Sequence, residues 1–256
     1  MSFTQWISDP SIHLQDLTLA TKSRSYDMGR RLYTFSIEQQ KFWLKFHEPN
    51  IHKGLEQAFQ RELEFYQENE KIHSNLLLPY QVVQFDQNTA FQSIVDQGQG
   101  LILLDVEPFF TDISQLKSLE AIQQKIITAL DRLNELHQLG WIHGDLKPDH
   151  FRQMDNACKL IDFEQSFKRQ SPISEMNATP HYMAPELFHG QSKSVQSDLY
   201  TFGIILYEWM TQTKLHANSY RDWGVLHCQQ LEMQFPKQFN YFLPLLQGLT
   251  QKHREY

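Results

Sequence analysis

The sequence predicts an α+β fold in two lobes, with strands and one helix first and helices afterwards. Short apolar or alternating runs fill the first hundred residues, which is typical of strands. One amphipathic segment, Leu55 to Glu68, interrupts them with apolar residues at near-helical spacing. After Pro108 the helical spacing dominates, as in Leu116 to Leu139. This order favours α+β architecture, with lobes at residues 1–105 and 106–256.

Turn-forming residues separate the predicted strands, as at Asp86-Gln87-Asn88. A later segment, Ser197 to Met210, is apolar almost all round and is therefore expected to be a buried central helix. The predicted strands are Tyr33 to Phe35, Lys41 to Phe46, Gln81 to Phe85, Phe91 to Val95 and Leu101 to Val106.

The composition excludes several classes of protein. With 41% hydrophobic residues in 256, the chain is globular rather than disordered. Its net charge of -7 disfavours nucleic-acid binding. Two distant cysteines, Cys158 and Cys228, make neither a disulfide framework nor a zinc motif. The start lacks a signal-peptide pattern and no apolar run approaches the roughly 18 residues of a membrane span, so a cytoplasmic location is expected.

The segment His143 to His150 carries residues suited to phosphoryl transfer. In it, Asp145 can accept or orient a hydroxyl proton, and Lys147 can neutralise charge on a transferred phosphoryl group. Twelve residues beyond His150, an apolar strand-like run ends in Asp162, which suits a Mg²⁺-binding carboxylate.

Four segments follow one another between about residues 117 and 211: "LNELHQLGWIHGDLKPDH", "LIDFE", "TPHYMAPE" and "SDLYTFGIILYEWMT". In this order they resemble the eukaryotic-type Ser/Thr protein kinases. They correspond to that family's catalytic loop with its preceding helix, the DFG position, the end of the activation segment and helix αF.

The resemblance implies a protein-kinase-like bilobal fold, ATP and Mg²⁺ as cofactors, with Mn²⁺ as a possible substitute, and a protein substrate. It implies that Asp145 is the catalytic base, that Lys147 contacts the γ-phosphate and that Asp162 binds the metal. The supporting residues that it implies are His143 and Asp198 as braces of the loop, and an ion pair between Glu186 and Arg254.

The likeness is fainter before residue 108. Lys45, in the strand-like "FWLKF", is implied to hold the α- and β-phosphates, with Glu62 as its helical partner and Glu64 as the alternative. Residues of the linker are implied to bind adenine: the backbone of Asp105 and Glu107, with Leu104 guarding the back of the pocket.

Four departures from the family pattern affect the expected site. The region expected to be a glycine-rich loop, Thr21 to Arg30, holds only Gly29; Ser23, Ser25 and Arg24 are candidates for holding phosphate, and a plain polar hairpin is an equal alternative. The other three are His150 in place of the metal-binding Asn, Glu164 in place of the Gly of DFG, and Gly144 in place of the Arg before the catalytic Asp.

"FWLKFH" and "DHF" are also similar to the lipopolysaccharide-core sugar kinases, which favours a divergent and bacterial family member. Three functions therefore stay open. The leading one is a Ser/Thr protein kinase. The second, motivated by His150, is a kinase for a sugar or another small hydroxyl acceptor. The third, motivated by the missing glycine loop, His150 and Glu164, is a pseudokinase that serves as a scaffold.

Overall fold

The computed structural model describes residues 14–70, 75–87, 89–172 and 178–252. The chain divides into two compact units. Unit 1 comprises residues 1–107 together with Ile161–Glu164, and unit 2 comprises Pro108–Leu160 with Gln165–Tyr256.

Unit 1 contains an antiparallel sheet with the strand order β1-β2-β3-β5-β4. Its helices and strands are β1 (Gln15–Leu19), α1 (Ser23–Asp27), β2 (Arg30–Ile37), β3 (Gln40–His47), α2 (Lys53–Glu68), β4 (Tyr80–Gln84) and β5 (Gln99–Leu104), with 3₁₀ turns at Phe85–Gln87 and Thr89–Phe91.

Alternating residues of β2 and β3 form much of the core of unit 1. Phe35 of β2 and Phe42, Leu44 and Phe46 of β3 are almost fully buried, because successive side chains of a strand point to opposite faces. Helix α2 contributes Phe59, Leu63, Phe65 and Tyr66 to the same core. The ring of His52 caps this helix by accepting a hydrogen bond from the Leu55 N–H.

The prediction of a strand at Phe91 to Val95 is wrong. Phe91 ends a 3₁₀ turn, and its carbonyl accepts hydrogen bonds from the N–H groups of Ile94 and Val95. The apolar ring of Phe91 is buried edge-on against Phe35 and Phe85, so its hydrophobicity serves a packed turn rather than a ladder. The edge strand β1 and the short helix α1 had not been predicted.

Unit 2 is mainly helical, with short two-stranded pairings β6·β9 and β7·β8. Its regular elements are α3 (Leu119–Gln138), β6 (Trp141–Ile142), β7 (Phe151–Met154), β8 (Ala157–Leu160), β9 (Phe167–Lys168), α4 (Pro185–Phe188), α5 (Val195–Thr211), α6 (Tyr220–Val225) and α7 (Leu243–Leu249). Short 3₁₀ or π segments occupy Ile113–Gln115, Pro148–His150, Pro180–Tyr182, Leu226–Gln230 and Lys237–Phe242.

Helix α5 runs through the core of unit 2, as its sequence predicted. Ser194 and Ser197 form a reciprocal capping box that fixes its start. Phe202 of this helix is fully buried beside Phe110 and Phe151, and the indole N–H of Trp209 donates to the Thr111 carbonyl at 2.6 Å. Because aromatic residues anchor the helix on several sides, it can act as a rigid support for the loops that bind to it.

The α+β fold class is confirmed, with the sheet early in the chain and helices after it. Within the described residues, no helix combines the length and the apolar character that crossing a membrane requires.

Candidate active site

A network of charged side chains surrounds Lys45 in unit 1. Its ammonium nitrogen lies 2.7 Å from a carboxylate oxygen of Glu62, 2.7 Å from Asp162 and 2.9 Å from Glu164. The carboxylates come from separate parts of the sequence, because α2 supplies Glu62 while the segment Ile161–Glu164 packs with unit 1 rather than unit 2. Lys45 is thereby brought together with the residue predicted to bind the metal.

Of the two glutamates proposed as the partner of Lys45, Glu62 makes the contact. It is fully buried on α2, whereas Glu64, two positions along the helix, is exposed. The second oxygen of Glu62 accepts a hydrogen bond from the Phe163 N–H at 2.9 Å. Glu62 therefore fixes both the ammonium group of Lys45 and the backbone that follows Asp162.

The surrounding charges shift the pKa values of this network. Burial lowers the pKa of Lys45, but the carboxylates of Asp162, Glu164 and Glu62 outweigh that effect and place it above its usual value. Burial raises the pKa of Glu62, against the lowering effect of Lys45, and the nearby Asp162 and Glu164 raise it further. Lys45 is therefore an ammonium ion at neutral pH.

The backbone conformation and packing of the DFG-like segment place the Asp162 side chain. Asp162 has φ +66°, a left-handed conformation that aspartate tolerates better than most residues. The next residue, Phe163, is fully buried and stacks on Phe65 of α2, with ring centroids 3.9 Å apart. The phenylalanine thus anchors the segment while Asp162, with 29% of its side chain exposed, stays accessible.

Glu164, at the position where the family has Gly, also forms an ion pair with Arg30 of β2. Sequence reasoning had not singled out Arg30. An extra carboxylate at position 164 requires a nearby cation, but the spacing of residues in the sequence does not show which lysine or arginine supplies it. The network therefore joins two cations to three carboxylates.

The segment expected to cover the phosphates forms a short helix. Ser23 and Ser25 both lie in α1, where Ser23 is exposed and Ser25 is partly exposed. Because β1 and β2 pair antiparallel, the segment is a hairpin connection, as the alternative had it, and it contains the helical turn α1. That these serines hold phosphate stays a prediction.

The residues predicted to bind adenine lie at the end of unit 1. Leu104 is the last residue of β5, and its N–H donates to the Pro79 carbonyl at 3.3 Å. The N–H of Asp105 donates to the Lys41 carbonyl at 2.9 Å, while Glu107 is exposed. These contacts fix the backbone there, and the adenine role of the three residues stays a prediction.

In unit 2, Asp145 and Lys147 form the expected pair. The ammonium nitrogen of Lys147 lies 2.7 Å from one carboxylate oxygen of Asp145. The other oxygen accepts hydrogen bonds from the hydroxyl and the N–H of Thr179, at 3.0 and 3.2 Å. Thr179, which begins the "TPHYMAPE" motif, had not been assigned a role in this contact. The carboxylate is thus oriented from two sides and remains partly exposed.

Asp198 of α5 braces the loop that carries Asp145. Its carboxylate accepts hydrogen bonds from the backbone N–H groups of His143 and Gly144, at 2.8 and 2.9 Å. The ring of His137 contacts the same carboxylate at 3.0 Å. Burial raises the pKa of Asp198, but the hydrogen bond and charge of His137, together with the loop, outweigh burial and lower it. Asp198 is therefore an ionised clamp.

His143 braces the loop from its other side, since its carbonyl accepts a hydrogen bond from the Ser166 hydroxyl at 3.1 Å. His150 ends the turn Pro148–His150 and is buried, with its ring 5.5 Å from the ring of His143. Metal binding by His150 stays a prediction. The proposed partner of Glu186, Arg254, lies outside the described residues.

The described part of the chain brings Glu62, Asp162 and Glu164 close enough to hold a metal ion, with ligand atoms within 4.8 Å of one another. An all-oxygen set of this kind fits Mg²⁺ better than a softer ion. Asp162 is the most exposed of the three, so a solvated ion would reach it first. Lys45 provides the counter-charge for the buried Glu62.

A sheet-bearing unit with a Lys–Glu–Asp network and a helical unit with an Asp–Lys–Thr cluster together define a kinase-like phosphotransferase fold. The family model described as "Protein kinase domain" matches residues 36–248, which is most of the chain. The chain therefore belongs to the protein kinase family.

Curated relatives carry the same family signature over parts of the chain. "Serine/threonine-protein kinase ppk34" of Schizosaccharomyces pombe is 28% identical over 53% of this chain and 39% of its own length. "Serine/threonine-protein kinase TIO" of Arabidopsis thaliana is 27% identical over 88% of this chain and 16% of its own length. "Serine/threonine-protein kinase RUNKEL" of the same plant is 42% identical over 31% of this chain and 6% of its own length. The chain thus spans less than half the length of these relatives. The likeness to sugar kinases and the bacterial origin stay predictions.

Proposed function

We propose that the chain transfers the γ-phosphoryl group of ATP to a Ser or Thr hydroxyl of a protein. The observation that carries the proposal is the Asp145 carboxylate, which is oriented by Lys147 and by the Thr179 hydroxyl. A carboxylate that already accepts a hydrogen bond from a Thr hydroxyl of its own chain has the chemistry to accept one from a substrate. The names of the relatives, which describe Ser/Thr kinases, support the same acceptor.

In the proposed reaction the acceptor oxygen bonds to the γ-phosphorus as the bond from that phosphorus to ADP breaks. The hydroxyl proton passes to Asp145, and Lys147 offsets charge on the transferred group. Lys45, which pairs with Glu62 and Asp162, would orient the other phosphates, and Asp162 would hold Mg²⁺. When bound, Mg²⁺ neutralises negative charge on the phosphate oxygens.

The test measures transfer of radiolabelled γ-phosphate to generic protein substrates and, separately, binding of ATP. In Asp145→Asn we expect transfer to fall by roughly 10²–10⁴-fold, because a general base is lost, with ATP affinity kept. Asp149→Asn is the matched control, since Asp149 is an exposed carboxylate four residues away, and it should transfer at the wild-type rate.

The other two functions are distinct outcomes of this test. Transfer to small hydroxyl acceptors but never to protein would replace the proposal with a small-molecule kinase, for which His150 is the motivation. Nucleotide binding without transfer to any acceptor would indicate a scaffold. Full transfer by Asp145→Asn would refute the assigned base.

A further inference from the structure

We propose that Arg30 binds a nucleotide phosphate, and that the Glu164 carboxylate holds Arg30 beside Lys45 until that phosphate takes its place. The inference rests on the proposed function, because it concerns the same nucleotide. It answers how the chain can hold phosphates with a segment that contains only Gly29 where the family has a glycine-rich loop.

One carboxylate, that of Glu164, bridges both cations. One oxygen of Glu164 pairs with a terminal guanidinium nitrogen of Arg30, and the other lies 2.9 Å from the Lys45 ammonium nitrogen. A phosphate edge also presents two anionic oxygens, and guanidinium groups bind carboxylate and phosphate in the same bidentate manner. The two cations are therefore spaced so that one anionic group can contact both.

The Arg30 side chain is accessible to a ligand from solvent. About a third of the Arg30 side chain is exposed, at 32%, whereas Glu164 is 8% exposed and Lys45 12%. A guanidinium has five N–H donors, so a ligand can reach the exposed part of Arg30 while Glu164 still holds the buried part. Binding can thus begin before the internal ion pair breaks.

The backbone that carries Arg30 is held in place by its neighbour Arg31. The next residue, Arg31, is buried and places its guanidinium 3.5 Å from the centre of the Tyr26 ring in α1. It also donates to the Tyr26 carbonyl at 2.7 Å and pairs with Glu48 at 3.0 Å. Arg31 therefore ties the helical turn to the sheet, so Arg30 starts from a fixed backbone position.

The charges of the network predict the sign of each substitution. The network contains three carboxylates and two cations. A phosphate that approaches Arg30 is attracted by Arg30 and Lys45, and it is repelled by the carboxylates, of which Glu164 lies against Arg30. Removing the charge of Arg30 should weaken binding of phosphorylated nucleotides, and removing that of Glu164 should strengthen it. Adenosine carries no phosphate, so its affinity should not change.

The experiment measures dissociation constants of adenosine, ADP and ATP by calorimetry, without a divalent metal, for the full chain and its variants. In Arg30→Gln we expect ADP and ATP to bind about tenfold more weakly, as for loss of one charge-assisted hydrogen bond. In Glu164→Gln we expect them to bind several-fold more tightly. Adenosine should stay within about twofold throughout.

Two further variants keep the test independent of folding. Lys237→Gln removes one positive charge from an exposed lysine of unit 2 that takes no part in the network around Lys45, and it should change no affinity. The double variant Arg30→Gln with Glu164→Gln should bind ADP more tightly than Arg30→Gln alone, because the repelling carboxylate is gone.

The outcomes separate this inference from the proposed function. An unchanged ratio of ADP to adenosine affinity in Arg30→Gln would overturn the inference and leave the proposed function standing. An equal loss of adenosine and ADP affinity would also overturn it, because the role of Arg30 would then be structural. If the wild-type chain binds no adenine nucleotide, both proposals fall.

Discussion

Replacement of the loop clamp, Asp198→Asn, tests whether one buried carboxylate supports the loop that carries the proposed base. The carboxylate accepts hydrogen bonds from the His143 and Gly144 N–H groups on different oxygens. An asparagine offers one oxygen, so in either orientation its NH₂ group faces one of these N–H donors. An unsatisfied buried donor costs about 1–3 kcal/mol, and the remaining bonds lose their charge assistance. We expect a total loss of about 3 kcal/mol.

The assay is chemical and thermal unfolding followed by tryptophan fluorescence. For a chain of this size, 3 kcal/mol corresponds to a fall in Tm of about 6–12 °C. The folded-state pKa of Asp198 is lowered, so its contribution is present above its unfolded pKa and is lost as the pH falls through the folded value. The difference between wild type and variant should therefore shrink in acid.

The matched control is Asp131→Asn, which removes an exposed carboxylate from α3 and should change stability by less than about 0.5 kcal/mol. An Asp198→Asn variant as stable as this control at neutral pH would refute the reasoning, since it would mean that the loop does not depend on the clamp. A difference that persists in acid would refute the electrostatic part.

Two other residues give predictions of stability. Gly144 and Gly140 both have positive φ, at +77° and +82°, but a Cβ on Gly144 would lie 2.7 Å from the Gln165 carbonyl oxygen, whereas a Cβ on Gly140 would meet open space. Unfolding measurements should therefore show that Gly144→Ala destabilises the fold by roughly 1 kcal/mol or more beyond Gly140→Ala. Equal losses of stability in the two variants would contradict the steric argument. Burial lowers the pKa of His227 to about 4, and the neutral ring forms a hydrogen bond with the Tyr200 hydroxyl. Because the neutral ring is the form that the fold accommodates, the contribution of His227 to stability is present above about pH 6.5 and is lost as the pH falls through 4. In a pH series of unfolding free energies, the advantage of wild type over His227→Gln should fall by about 3 kcal/mol over that range, and a constant difference would exclude the assignment.

The long helices were predictable because each forms its backbone hydrogen bonds within itself. The apolar residues of its buried face also recur at a helical period in the sequence. Helix α2 begins two residues before the predicted Leu55 and ends at Glu68 as expected. Helix α5 was recognised because an almost wholly apolar segment of that length fits the centre of a core. The prediction of a strand at Phe91 was wrong because a single buried ring stabilises a turn as well as it stabilises a strand.

The site was predictable where its chemistry is local in sequence and where the family resemblance supplied the partner. Asp145 and Lys147 are two residues apart, so the conformation of one loop is enough to bring their side chains together. Glu62 was predicted as the partner of Lys45, with Glu64 as the alternative, and the rotation of α2 against the sheet places Glu62 against Lys45 and leaves Glu64 exposed. The bond from Thr179 to Asp145 spans 34 residues, and no spacing rule predicts it.

The sequence by itself determined the family, the order of its elements and the identity of the charged residues that the proposed chemistry needs. The tertiary structure decided which of those charges meet. A sequence with 23 lysines and arginines does not say which of them neutralises Glu164, and Arg30 is 134 residues away from it along the chain. The physical reason is that a buried carboxylate needs a cation within a few ångströms in space, and only packing brings one there.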